Sequence, residues 1–229
     1  QVTHATGSDT VHSLTNASGR VLMAGGTLDL GSLVNDAGIT WTGGNILLDG
    51  SLAPSPAFTN AAGATLTLDG NGQHLAAVNG GSAMLSNLGT LTSAGLGVAS
   101  IDVKLANAGL LAVSSGTLSV NGGGSSSGYG IAAGAGGVMQ FGTTAGGGGA
   151  TFAITDGFYA PANTVVNGGT LDASAASAAI FIDRLQVAAG ALRLGSLAAV
   201  DQGALTQSGG TIAGSGIFSV VGGGFFGGG

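Results

Sequence analysis

A phrase of six residues keeps returning in this chain, and its return sets what the chain can fold into. Leu14-Thr15-Asn16-Ala17-Ser18-Gly19 comes back as Leu33-Val34-Asn35-Asp36-Ala37-Gly38 and as Phe58-Thr59-Asn60-Ala61-Ala62-Gly63. Shorter forms follow at Leu85-Ser86-Asn87-Leu88-Gly89 and Leu105-Ala106-Asn107-Ala108-Gly109. Self-similarity at about twenty residues is the mark of a solenoid, in which each repeat is one coil laid on the last.

Within each repeat the apolar residues alternate. Leu28 and Leu30 flank Asp29, Leu66 and Leu68 flank Thr67, and Leu118 and Val120 flank Ser119. The same holds for Leu111 and Val113, and for Leu192 and Leu194 around Arg193. A period of two over short runs is a strand with one buried and one wet face. Such strands are too short for a conventional sheet, but stacked coil on coil they build long parallel sheets around a narrow core. The expectation is an all-β right-handed parallel β-helix of about ten coils, near 50 Å long at about 4.8 Å per coil.

Composition agrees. Glycine fills 48 of 229 positions, yet 44% of residues are hydrophobic and the mean hydropathy is +0.51. That is not the polar, highly charged profile of a disordered chain, and no G-X-Y period makes it collagen. All ten acids are Asp, and Lys and Arg total four. Exposed helix faces draw on Glu, Lys and Arg, so helices are not expected. With no cysteine, disulfides and thiolate metal sites are excluded. A net charge of −6 argues against nucleic acid or an anionic membrane as partner. No stretch reads as a membrane span or a signal peptide.

Glycine doublets mark corners. Gly25-Gly26-Thr27-Leu28, Gly43-Gly44-Asn45-Ile46, Gly168-Gly169-Thr170-Leu171 and Gly209-Gly210-Thr211-Ile212 read as one recurring corner, with Ser115-Gly116-Thr117-Leu118 in that role once. The whole of 1–229 reads as one solenoid domain. Around 121–150 the Gly/Ser runs read as flexible excursions, and 221–229 as a Gly/Phe-rich tail.

The recurring Asn16, Asn35, Asn60, Asn87 and Asn107 have two readings. They form an inward ladder, each amide donating and accepting along the axis, or they are plain turn formers with exposed side chains.

The Leu-x-Asn-x-x-Gly phrase, followed by alternating apolar residues and a Gly-Gly-Thr-Leu corner, resembles the repeats of filamentous-haemagglutinin-type adhesins and autotransporter passengers. The resemblance covers most of 11–120 and, more loosely, 160–215. It implies an exported bacterial fibre at the cell surface or in the extracellular matrix.

The chemistry searched for is sparse. Many β-helices act on polysaccharides, so a lyase or hydrolase is the competing class. Its candidate groups are Asp183-Arg184 and Arg193, with Asp172 or Asp201 across coils. Gly124-Ser125-Ser126-Ser127-Gly128 fits G-x-S-x-G but has no helix after it. His4, Asp9 and His12 lie close enough for a metal to be considered, and read better as exposed residues of a first coil. His74 stands alone, and Asn16-Ala17-Ser18 is an incidental glycosylation sequon. Thr65-Leu66-Thr67 and Thr90-Leu91-Thr92 match the Thr ranks of ice-binding solenoids, but most coils lack them.

The expected function is structural: a non-catalytic fibre or adhesin stalk, with no catalytic, cofactor or metal site. Its expected partners are further copies of itself or the rest of a longer chain, and a host or matrix glycan or protein. Phe225 and Phe226 are the expected assembly contact, because open strand edges invite pairing and two Phe add apolar area.

Overall fold

The computed structural model describes residues 1–69, 72–143, 149–178, 180–196, 199–201 and 203–227. Among these no helix occurs, and the strands pair in parallel, each with the strand about one coil away. The chain is a parallel β-helix.

One coil explains all of them. Arg20–Met23 lies on a first face. Thr27–Asn35 then bends at Gly31, giving 27–30 to a second face and 32–35 to a third. The turn after Asn35 delivers Gly38–Trp41 beside Arg20–Met23, one rung along. Ten coils repeat this circuit among the described residues, and Phe218–Val220 and Gly224–Phe226 begin an eleventh.

Parallel pairing in register places like residues over like. Val21, Ile39, Leu66, Leu91, Leu111 and Ile131 form one inward column on the first face, all buried. Leu28, Leu30, Leu66, Leu68, Leu118 and Val120 are all in the core, as the alternation predicts. Each such side chain contributes about 1.5–3 kcal/mol by leaving water, and its neighbours of opposite phase take the exposed face. Later coils fill the core with rings. Phe141 packs on Phe152 and Tyr159, with centroids 5.3 and 6.3 Å apart. The buried Tyr159 hydroxyl bonds Thr164 Oγ1 at 2.9 Å, and burial pushes its phenol above the ordinary range.

The glycine doublets do not share one corner. Thr27 pairs with Asn45, so the first two doublets do stack and open the second face. Leu171 pairs through Phe152 and Gly124 to Leu105, which places Gly168-Gly169-Thr170-Leu171 at the opening of the third face. Gly209-Gly210-Thr211-Ile212 stacks there too, with Thr211 on Ala191 and Ala191 on Thr170. Leu118 lies on the second face but two residues before the Leu28 column, which Val120 occupies through Ile101, Leu75 and Ile46. Every corner of a three-sided coil needs a tight turn into a strand, so the same local words serve different corners.

The Gly/Ser run after Asn121 is not an excursion. Gly124–Ser126 is a rung between Lys104–Asn107 and Thr151–Ile154, and Ser126 is buried. Glycine is needed at 124 because a Cβ there would sit 2.0 Å from the Leu105 carbonyl oxygen, at a φ of +128°. Gly130–Phe141 is a further full rung pair. Within 121–150 the connection between faces is long only at 142–150, of which 144–148 lie outside the described residues. The tail also keeps the ladder, since Gly224–Phe226 pairs with Leu205–Gln207.

Candidate functional site

The five asparagines stand in one column at the turn from the third face to the first, in the register Asn16, Asn35, Asn60, Asn87, Asn107, Ser126. All are buried. Nδ2 of each donates to Oδ1 of the next, at 2.8, 2.8, 2.7 and 2.7 Å. Asn107 ends the series by donating to Ser126 Oγ at 3.0 Å.

The second hydrogen of each amide bonds the chain as it leaves the turn. Asn16 donates to the Gly38 carbonyl at 3.0 Å, Asn35 to Thr65 at 2.9 Å, Asn60 to Thr90 at 3.0 Å and Asn87 to Leu110 at 3.0 Å. A buried amide demands partners on both its ends, and the stacked turn supplies them. The sequon at Asn16 is therefore closed, because its nitrogen holds two hydrogen bonds inside the fold.

The remaining candidates spread over the rod. His4 Nε2 lies 3.0 Å from Asp9 Oδ2, and His4 Nδ1 is 2.9 Å from the Gly25 carbonyl oxygen. His12 is not part of that pair, and no group of three or more metal-binding side chains occurs among the described residues. Asp172 and Arg193 occupy adjacent rungs of one outward column on the third face. Asp183 and Arg184 are exposed, and among the described residues no ion pair joins any of these groups. The side chain of Asp201 lies outside the described structure. Phe225 and Phe226 are 62% and 68% exposed on the last rung. They do not act as one patch: Phe226 continues the inward column of Val187 and Gln207, whereas Phe225 continues the outward column of Gln186 and Thr206.

Three polar features were not legible in the sequence. His74 Nε2 meets Asp102 Oδ2 at 2.5 Å, and Asn121 Nδ2 donates to the other oxygen of Asp102 at 2.7 Å. Ser119 Oγ donates to Asn121 Oδ1 at 2.8 Å, and Gln140 Nε2 donates to Ser119 Oγ at 3.2 Å. This string runs along the second face over four coils and ends where Gln140 also bonds the Gly142 carbonyl, which makes it a brace between coils. Finding it requires the register, since His74 and Asp102 are 28 residues apart.

The second feature is a clasp. Asp49 accepts the Ser51 backbone N–H at 2.7 Å and both oxygens accept from Asn79 Nδ2 at 3.0 Å. Hydrogen bonds from Ser51 and Asn79 hold its carboxyl below the usual range. The clasp ties the insertion after Asp49 to the turn at Asn79, whose φ is +54°.

The third is a trough at the asparagine corner, about 370 Å³, lined by Gly63, Leu88, Gly89, Thr90, Gly109 and Tyr129 among others. Trp41 and Tyr159 are fully buried, whereas Tyr129 is 73% exposed.

Compared with protein-family profiles, curated proteins and solved structures, the chain matches none. What it does must be argued from its own geometry.

Proposed function

We propose that this chain is a length of non-catalytic fibre, an extracellular or cell-surface stalk of the filamentous-haemagglutinin or autotransporter-passenger kind. The observation that carries the reading is the continuous parallel stack: rung lies on rung from Val2–His4 to Gly224–Phe226, with register shifts falling at corners between faces. Such a stack transmits load along its axis through backbone hydrogen bonds, and the asparagine column adds a second line of bonds parallel to it. Repeat stacks of this kind contact only their neighbours, so their length and stiffness are their main product.

The same reading includes end-to-end association. On the Gly224–Phe226 rung Phe226 stands in a core column yet is 68% exposed, so it offers apolar area to a further rung, from another copy or from more of a longer chain. Negative-stain electron microscopy of the purified chain tests it. Rods that join into filaments, shortened by Phe226→Ser and much less by Phe225→Ser, support the reading. A protein that stays monomeric at high concentration in sedimentation velocity overturns the assembly part. Steady release of reducing or unsaturated sugar from a polysaccharide, lost in Arg193→Ala, would favour a polysaccharide-acting enzyme instead.

A further inference from the structure

The turn of the third face onto the first changes length from coil to coil. Four residues separate Asn60 from Thr65, two separate Asn87 from Thr90, two separate Asn107 from Leu110, and three separate Ser126 from Gly130. The flanking positions are in register throughout, Asn60 with Asn87 and Asn107, and Thr65 with Thr90 and Leu110. Two short turns therefore lie recessed between two longer ones. The step produces the trough of about 370 Å³.

Its floor is backbone. A Cβ on Gly89 would lie 2.3 Å from the Ala64 carbonyl oxygen, and one on Gly109 would lie 2.0 Å from that of Gly89. Neither position can carry a side chain without parting the coils. The walls come from Leu88, 48% exposed, and Tyr129, 73% exposed, with Thr90 beside them. The Tyr129 hydroxyl makes no hydrogen bond among the described residues, in contrast to the buried Tyr159 and to Trp41, whose Nε1 donates to Gly43 at 2.9 Å. No charged side chain lines the trough.

We propose that this trough is a binding site for a neutral sugar ring of an oligosaccharide. A sugar has an apolar C–H face and an equatorial rim of hydroxyls. The face matches an exposed aromatic ring, which offers apolar area with little conformational entropy to lose. The rim matches the spare lone pairs of floor carbonyls and the hydroxyls of Thr90 and Tyr129. The lack of charge selects against sulfated and uronic acid chains, and a backbone floor offers an apolar peptide side chain little to bury itself in. The inference stands apart from the fibre reading: a rod can bind sugar without assembling, and the reverse.

The test is ligand-observed and protein-observed NMR of the full chain with cellohexaose, chitohexaose, mannohexaose and xylohexaose, and with heparin as a polyanionic comparison. The expected result is saturable binding of at least one neutral oligosaccharide, with the Tyr129 ring resonances shifted. Tyr129→Ala should weaken it by about tenfold or more, and Tyr129→Phe should retain most of it. Ala108 is exposed in the trough, so Ala108→Leu should block the site while melting as the native chain does. Binding of none of the neutral sugars, stronger binding of heparin, or binding unchanged in both Tyr129→Ala and Ala108→Leu would each overturn the proposal.

Discussion

Asn60 donates from Nδ2 to Oδ1 of Asn87 at 2.7 Å, across 27 residues of sequence. The same amide bonds the Thr90 carbonyl and accepts from Asn35. Asn60→Ala orphans two buried acceptors and one donor, so it should destabilise the chain by about 2–4 kcal/mol. Asn60→Asp makes a sharper prediction. The new carboxyl faces the Asn87 and Thr90 oxygens, which favour its neutral, donating form, so its folded pKa is raised. The penalty should then be small below about pH 4, the unfolded value, and grow as pH rises toward neutrality. Urea midpoints as a function of pH check both.

Removing core volume should cost more where the coil cannot collapse. Leu30 and Leu118 are fully buried. Each Leu→Ala change should cost about 2–5 kcal/mol, measured by chemical denaturation with the slope monitored for loss of two-state behaviour.

Two glycines of the asparagine corner should behave differently. At Gly109 a methyl collides with the preceding coil, at 2.0 Å from the Gly89 carbonyl oxygen. At Gly63 φ is +82° but nothing lies within 4 Å. Gly63→Ala should cost only the left-handed strain, about 1–2 kcal/mol. Gly109→Ala should cost clearly more, with the coils forced apart. Thermal midpoints of the two variants rank them.

The Asp49 clasp predicts a pH response. Hydrogen bonds from Ser51 and Asn79 depress the folded carboxyl. The anchoring it supplies is therefore present above the unfolded value of about 3.9 and is lost as pH falls through the lower folded value. A carboxyl carbon titration should place the Asp49 midpoint below that of an unstructured aspartate. A midpoint at or above it would remove the clasp as a source of stability.

The sequence carried the coil and its core plainly, because Leu28 and Leu30 state their face in their own spacing. It carried the asparagines because one phrase held them at one offset from an apolar residue. It could not say which corner a glycine doublet turns. Gly25-Gly26 and Gly168-Gly169 obey the same local physics and lead onto different faces. Nor could it distinguish glycine that frees the chain from glycine required by a neighbouring backbone, as at Gly124. His74 and Asp102 meet only because the turns between them happen to restore the register. The trough was hidden for the opposite reason: it arises from turn lengths, which no single turn reveals.

The asparagine column has a direction. Every amide gives toward the later coil, and each after Asn16 receives from the earlier one, until Ser126 takes the last hydrogen. Each rung between Asn16 and Asn107 thus presents the same connector on its upper and lower sides. A coil copied or removed inside that stretch would find both connectors waiting, so the rod can change length there in whole coils without redesign. Beyond Ser126 the position passes to Ile154, which has no such connector, and a coil there is held to its neighbours by the backbone ladder, by core packing and by bonds particular to its own residues, such as that from Asn163 Nδ2 to the Gly137 carbonyl.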